Sequence, residues 1–192
     1  MNTLNPSHVQ NVSVFLNQSA ILNTKPNSGD FFLTDKRAKI SKSCFIKNPS
    51  NILLATAVIN NNTVLRADLA TLKIEVYCIL CDNVIIHPPL SKNMDFTAIT
   101  IGKFTIIGAN SIIKASIIGN CVRIGRNCVL EDNVVVGNNC IIEDDSILPE
   151  DMNVPSGCVF GGKPAQFIRR TPPSIVNDHI IEAIAYYDSI QM

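Results

Sequence analysis

The chain has 192 residues, 46% of them hydrophobic, and its 16 Lys and Arg balance 16 Asp and Glu. The apolar content argues against an intrinsically disordered chain, and the balanced charge argues against nucleic-acid binding and attachment to an anionic membrane. The chain lacks both the ~18 consecutive apolar residues of a membrane span and the pattern of a signal peptide, so we expect a folded cytoplasmic protein without membrane insertion.

Residues 1–30 are rich in Asn, Ser and Thr and predict a loosely ordered N-terminal extension. After them, a large apolar residue recurs at nearly every sixth position, and the clearest series is Ile101, Ile107, Ile113, Ile118, Ile124, Leu130, Val136, Ile142, Leu148, Val154 and Phe160. Helices repeat every 3.6 residues and strands every 2, so a period of six indicates a short strand plus a corner. Three such units close one triangular turn, which predicts an all-β, left-handed parallel β-helix of about seven coils over residues 31–165.

Two further series agree with this register. Earlier core positions are expected at Ile40, Ile46, Ile59, Leu65, Ile74, Leu80 and Ile86. Sharp corners favour residues that tolerate a left-handed backbone, and such residues keep the same interval at Asn127, Asn133, Asn139, Asp145, Asp151 and Gly157.

An insertion near residues 88–98, beginning "PPLSKNMDF", interrupts the repeat after His87. Loops that project from a rigid repeat structure are common recognition sites. The candidate partner-binding residues are Pro88, Pro89, Leu90, Lys92 and Phe96. The alternative is that the insertion folds back over a neighbouring coil.

Residues 166–192 are expected to form a linker and a C-terminal helix of about 15 residues. Ser174, behind a pair of prolines, is the predicted N-cap. Ile180, Ile181, Ile184 and Tyr187 are spaced to share one face of the helix, which we expect to lie along a face of the prism.

Seven cysteines raise the question of a metal site, and Cys78 and Cys81 have the spacing of a ligand pair. However, Cys78 precedes a core position by two residues and should point inward, whereas Cys81 should point outward. The other cysteines two residues before a core position are Cys44, Cys128, Cys140 and Cys158. We therefore predict buried core thiols, no metal and no disulfide.

The stretch from "VLRADLATLKI" through "GGKPAQFIR" resembles the superfamily of γ-class carbonic anhydrases and hexapeptide acyltransferases. Arg66 and Asp68 match an Arg-Gly-Asp-like motif of the anhydrases, with Ala67 in place of glycine, and His87 matches the first zinc ligand. The positions of the other two ligands hold Ala109 and Lys114. The resemblance thus implies a degenerate site with no metal and no hydratase activity, in which Arg66 and Asp68 form a salt bridge or loop clamp.

A second resemblance, from about Phe31 to Asp188, is to the dynactin subunit 5 family. It is carried by "RADLA", the Pro88-Pro89 loop, "GRNCVLEDN", "ILPEDMNVPSGCVF" and a C-terminal helix with adjacent tyrosines. The Asn-rich N-terminus and "GGKPAQFIRR" depart from that family. This resemblance implies a cytoskeleton-associated, non-catalytic subunit without a cofactor, whose partners are dynactin subunit 6, other pointed-end subunits and dynein cargo adaptors.

An enzymatic function stays open beside this one. A hexapeptide-repeat acyltransferase would use His87 as the base toward an acceptor hydroxyl or amine, with acyl-CoA lying along the coils. Such enzymes are usually homotrimers, whereas the scaffold function predicts a monomer or a heteromeric subunit. A degenerate carbonic anhydrase-like protein is the remaining alternative.

Overall fold

The computed structural model describes residues 30–190, and they form the predicted left-handed parallel β-helix followed by one α-helix. Each coil contributes one short strand to each of three sheets, which are the faces A, B and C of a triangular prism. There are about six turns rather than seven, because the insertion after His87 and the irregular early spacings take up residues without adding a coil. The predicted N-terminal extension lies outside the described residues, apart from Asp30.

Face A is a nine-stranded sheet that carries the C-terminal helix. Its strands are β1 (Phe31–Leu33), β2 (Lys39–Ser41), β5 (Ala57–Ile59), β8 (Cys78–Leu80), β11 (Ile106–Ile107), β14 (Arg123–Ile124), β17 (Ile141–Ile142), β20 (Cys158–Gly162) and β21 (Ala165–Arg170). The pairings from β2 to β20 are parallel, whereas β1 and β21 pair antiparallel with their neighbours. The segment assigned from the sequence to a linker therefore contains a strand.

Faces B and C each contain six parallel strands. Face B comprises β3 (Phe45–Lys47), β6 (Val64–Arg66), β9 (Ile85–Ile86), β12 (Ile112–Ile113), β15 (Val129–Leu130) and β18 (Ile147–Leu148). Face C comprises β4 (Ile52–Leu54), β7 (Leu72–Ile74), β10 (Ile99–Ile101), β13 (Ile117–Ile118), β16 (Val135–Val136) and β19 (Asn153–Val154). A 3-10 turn, Pro49–Asn51, joins β3 to β4.

The prism interior is a stack of aliphatic side chains in register. Every core position expected from the period of six is buried, and Phe160, at 8% exposed, is the least buried of them. The five cysteines predicted to point inward are also buried, while Cys81 is only half-buried and lies outside the prism core. Burial raises the pKa of Cys44 and of Cys78 to about 12, so these thiols stay protonated and act as small core residues.

The corners use the left-handed backbone that the sequence predicts. All six residues of the predicted corner series have φ between 55° and 71°. At the corner between faces A and B, the corner residues also bond to one another along the prism axis. Donor–acceptor distances of 3.0–3.3 Å link Asn62, Asn83, Asn110, Asn127 and Asp145. This ladder satisfies polar groups at each corner while holding neighbouring coils together.

Helix α1 (Ile175–Ser189) lies on face A and covers outward-pointing Val58, Ile79 and Ile106. Ser174 occupies the N-cap position, but its side chain makes no capping hydrogen bond. The predicted buried side of the helix was partly wrong, since Ile181 is 66% exposed and the fully buried positions are His179 and Ala183. Within residues 30–190, no helix is long and apolar enough to cross a bilayer.

Polar contacts fix both ends of α1. Near its N-terminus, His179 Nδ1 lies 2.8 Å from the carbonyl oxygen of Cys121. At the other end, Lys39 Nζ donates to the carbonyl oxygens of Tyr187 and Ile190 at 2.7 and 2.8 Å. A cation at a helix C-terminus also interacts favourably with the helix dipole, so Lys39 stabilises the last turn.

Asn127 offers a test of the corner geometry. Asn127→Ala puts a side chain that disfavours the left-handed region at φ 55° and removes two ladder bonds. We expect a loss of about 1–3 kcal/mol in the free energy of unfolding, measured by urea denaturation. Asn127→Gly removes the same bonds without the backbone strain, so its loss should be smaller. An equal or larger loss in the glycine variant would contradict this account.

Candidate functional site

Three of the five degenerate-site residues lie in one outward-facing column of face B, here named the charged column. Leu65, Ile86, Ile113 and Leu130 pair in register on neighbouring strands. The residues that follow them along the chain, Arg66, His87, Lys114 and Glu131, therefore stack on successive coils, about 4.8 Å apart. Three of the five predicted degenerate-site residues thus lie in this column, and Asp68 is held against it by Arg66.

Ala109 lies elsewhere. It lines a groove of about 370 Å³ between face A and α1, together with Cys81, Arg123 and Tyr186. Lys114, by contrast, belongs to face B. Within one chain, the five positions therefore do not form a single site.

Arg66 and Asp68 form a local ion pair. The guanidinium donates from Nε to Oδ1 at 2.8 Å and from Nη2 to Oδ2 at 3.0 Å. The hydrogen bonds from Arg66 lower the pKa of Asp68. Because the two residues are separated by only Ala67, the pair clamps the turn that leaves β6, and it uses the donors that a substrate anion would need.

His87 is half-buried at the root of the insertion. Its Nδ1 lies 2.9 Å from the carbonyl oxygen of Pro88, so Nδ1 is the donor, and no hydrogen bond within residues 30–190 uses Nε2. Its ring packs edge-on against Phe96, with centroids 5.8 Å apart. Among the described residues no carboxylate orients this imidazole and no hydroxyl or thiol bonds to it, which are the contacts expected of an activated nucleophile–base pair.

Lys114 is a cation at one of the two positions where the carbonic anhydrase resemblance would place a further zinc ligand. Its Nζ lies 2.9 Å from Glu131 Oε2 and 3.8 Å from Asp132 Oδ2, and the hydrogen bond from Glu131 raises the pKa of Lys114. One imidazole, one methyl group and one ammonium do not fit a zinc site, which needs about three nitrogen, sulfur or oxygen donors from the protein. Nor do residues 30–190 hold any cluster of three or more His, Cys, Asp or Glu suited to a metal.

The insertion folds back over later coils. Leu90 and Phe96 form an antiparallel bridge, which makes the insertion a small hairpin. The Leu90 N–H donates to Asp132 Oδ1 at 3.1 Å, and Lys92 Nζ lies 3.1 Å from Asp151 Oδ2. The hairpin is therefore held against the fifth and sixth coils.

This fold-back changes which insertion residues a partner can reach. Pro88 and Pro89 are buried and Leu90 is half-buried, so these three face the prism. Lys92 is exposed, and Phe96 is 39% exposed. Met94, at the tip and 75% exposed, was missed by the sequence analysis, although its place between the two hairpin strands could have indicated it.

Comparison with known families supports this description. A family model described as dynactin subunit 5 matches residues 13–191. The mitochondrial γ carbonic anhydrases 2 and 1 of Arabidopsis thaliana are 25% and 27% identical to the chain over 143 residues. The match covers 71% of this chain and 51% and 52% of theirs, so the chain spans about half the length of the curated relatives it matches.

Solved structures share the fold. AntD, an N-acyltransferase from Bacillus cereus in complex with dTDP and 3-hydroxybutyryl-CoA, superposes with a TM-score of 0.63 at 17% identity. The superposition covers 77% of this chain and 88% of AntD. At this identity the likeness extends to the β-helical fold alone.

The Arg66–Asp68 pair predicts a pH-dependent contribution to stability. Because the folded-state pKa of Asp68 lies below its unfolded value, the pair stabilises the fold above about pH 4, and the contribution is lost as pH falls through the folded pKa. The two side chains are 29% and 31% exposed, so we expect at most about 1 kcal/mol. Urea denaturation of wild type and Arg66→Gln should differ by this amount at neutral pH and converge in acid. A difference that does not change with pH would contradict the assignment.

Proposed function

Because the chain belongs to the dynactin subunit 5 family, we propose that it is a non-catalytic subunit of a dynactin complex that binds other proteins through its prism faces and loop. In this proposal its neighbours are dynactin subunit 6 and other pointed-end subunits, and the assembly receives dynein cargo adaptors for microtubule-based transport. Its place is the cytoskeleton in the cytoplasm. The family match over residues 13–191 is the observation that carries the proposal.

The charged column supports a non-catalytic role. Two of its cations are engaged by carboxylates of the same chain, Arg66 by Asp68 and Lys114 by Glu131. An ion pair already formed within the protein offers little to a reacting substrate, whose charge would have to displace a carboxylate. These contacts stabilise the face instead.

The insertion supports protein binding. Hydrogen bonds between Ser91 and Asp95 close the hairpin, with the Ser91 N–H donating to the Asp95 carbonyl at 2.8 Å. Its tip exposes Met94 and Phe96. An ordered loop with exposed apolar side chains binds at a lower entropic cost than a disordered one, so we assign Lys92, Met94 and Phe96 as contact residues.

Affinity purification of the tagged full chain from its native cells tests the assembly. We expect actin-related protein, the other pointed-end subunits and dynein components to co-purify, and the isolated chain to sediment as a monomer. A homotrimer that co-purifies with a metabolic enzyme would overturn the proposal.

Loop variants test the contact residues. Met94→Ala removes the side chain at the hairpin tip, which is 75% exposed, while the bridge between Leu90 and Phe96 remains. We expect at least a several-fold drop in recovered partners, at an unchanged thermal midpoint. Lys103→Ala, at another exposed position outside the hairpin, is the matched control. Equal recovery with both variants would remove the loop from the interface.

An acyltransferase is the second candidate, and the AntD-like fold together with the free Nε2 of His87 favours it. This function requires acyl transfer from, or hydrolysis of, acyl-CoA that is lost in His87→Gln. We expect no such activity above the rate without protein. Turnover abolished by His87→Gln would establish the enzyme instead.

A further inference from the structure

The outer surface of face B carries an uninterrupted apolar stripe, here named the B stripe. Its members pair in register on six neighbouring strands and are all half-buried: Phe45, Val64, Ile85, Ile112, Val129 and Ile147. At about 4.8 Å per coil the stripe is roughly 24 Å long. Nothing in residues 30–190 packs over it as α1 packs over face A.

The other two faces show that such a stripe is not required by the fold. On face C the equivalent outward column is broken by polar residues at Lys73, Thr100 and Asn153. On face A the outward residues Val58, Ile79 and Ile106 are apolar, and there α1 covers them. On face A, therefore, the element that covers the apolar outward column is a helix.

Size favours a helix over a second prism. A face about 24 Å long and roughly 17 Å wide offers roughly 400 Å², about half of the ~800 Å² per partner that a standard stable interface buries. A single helix of about 16 residues spans the same length, because it rises 1.5 Å per residue. Helix α1, with 15 residues, already shows this match on face A.

The charges on face B indicate which kind of residue should lie on the flank of that helix. The charged column runs beside the B stripe on the same face, two residues further along each strand. Over the first four coils it holds Lys47, Arg66, His87 and Lys114. Asp68 pairs with Arg66, and Glu131 and Asp132 both lie near Lys114. Among residues 30–190, Lys47 is therefore the cation of this column that makes no salt bridge, and it pairs in register with Arg66. On the other side lies the corner ladder, which holds four asparagines and Asp145 and no cation.

We propose that face B binds an amphipathic α-helix of a partner protein, with the helix's apolar residues on the B stripe and an acidic flank that pairs with Lys47. The inference deepens the proposed function and rests on it for the existence of a protein partner. The hairpin borders one side of this face, because Phe96 packs against His87.

The probe is a synthetic peptide of about 18 residues, with leucines three and four residues apart and glutamates along one flank. We expect the full chain to bind it, in fluorescence anisotropy, with an affinity that falls as salt rises. Ile112→Glu, at the centre of the stripe, should weaken binding at least about tenfold. Ile117→Glu is the matched control, since Ile117 is the outward isoleucine of the same coil on face C. Both variants are first shown to keep the wild-type thermal midpoint.

Several results would overturn the inference. These are no binding by wild type, equal binding by the two variants, or equal affinity for a peptide with lysines in place of the glutamates. Tighter peptide binding after deletion of residues 1–29 would identify the chain's own extension as the occupant. A homodimer that dissociates in Ile112→Glu would identify a second copy.

The failure of this inference can be told apart from failure of the proposed function. If the tagged wild type recovers actin-related protein but does not bind the peptide, the inference fails and the proposed function stands. If it binds the peptide but recovers no dynactin component, the proposed function fails while face B remains a helix-binding surface.

Discussion

Parallel pairing between successive coils fixes which way the side chains of the strands from β2 to β20 point. A slip of one residue would turn the core outward, so each insertion must return the chain to the same register. The hairpin does this, because β9 and β10 on either side of it still pair with the coils above and below. The corners leave little space: a Cβ at Gly119 would lie 2.6 Å from Asn138 Oδ1 on the next coil.

Because of the same register, the residues that determine the fold are different from the residues that could carry chemistry. Inward positions determine whether the prism forms, while outward positions such as Arg66, His87 and Lys114 contribute little to its core. A lysine at position 114 therefore costs the architecture almost nothing, because Glu131 pairs its cation. This independence explains how one fold can serve an enzyme such as AntD and a chain whose residues 30–190 hold no cluster suited to a metal.

The sequence predicts what the period of six controls and misses what depends on contacts distant along the chain. It identified the core positions, the Asn-rich corners and the inward cysteines, since each follows from the position within a coil. Tyr77, Phe104 and Cys121 also adopt positive φ, but their residue types give no signal for it. The fold-back of the hairpin depends on Asp132 and Asp151, and the orientation of α1 depends on Cys121 and Lys39.

Strand direction reverses at both ends of face A, where β1 and β21 run against their neighbours. A stack of identical parallel coils would otherwise offer each end as a template on which another molecule could continue the same hydrogen-bonding pattern. On faces B and C the terminal strands are only two or three residues long. The reversed strands thus end the parallel sheet at both edges of face A. They protect a protein built from a repeat against adding further molecules and growing into fibres.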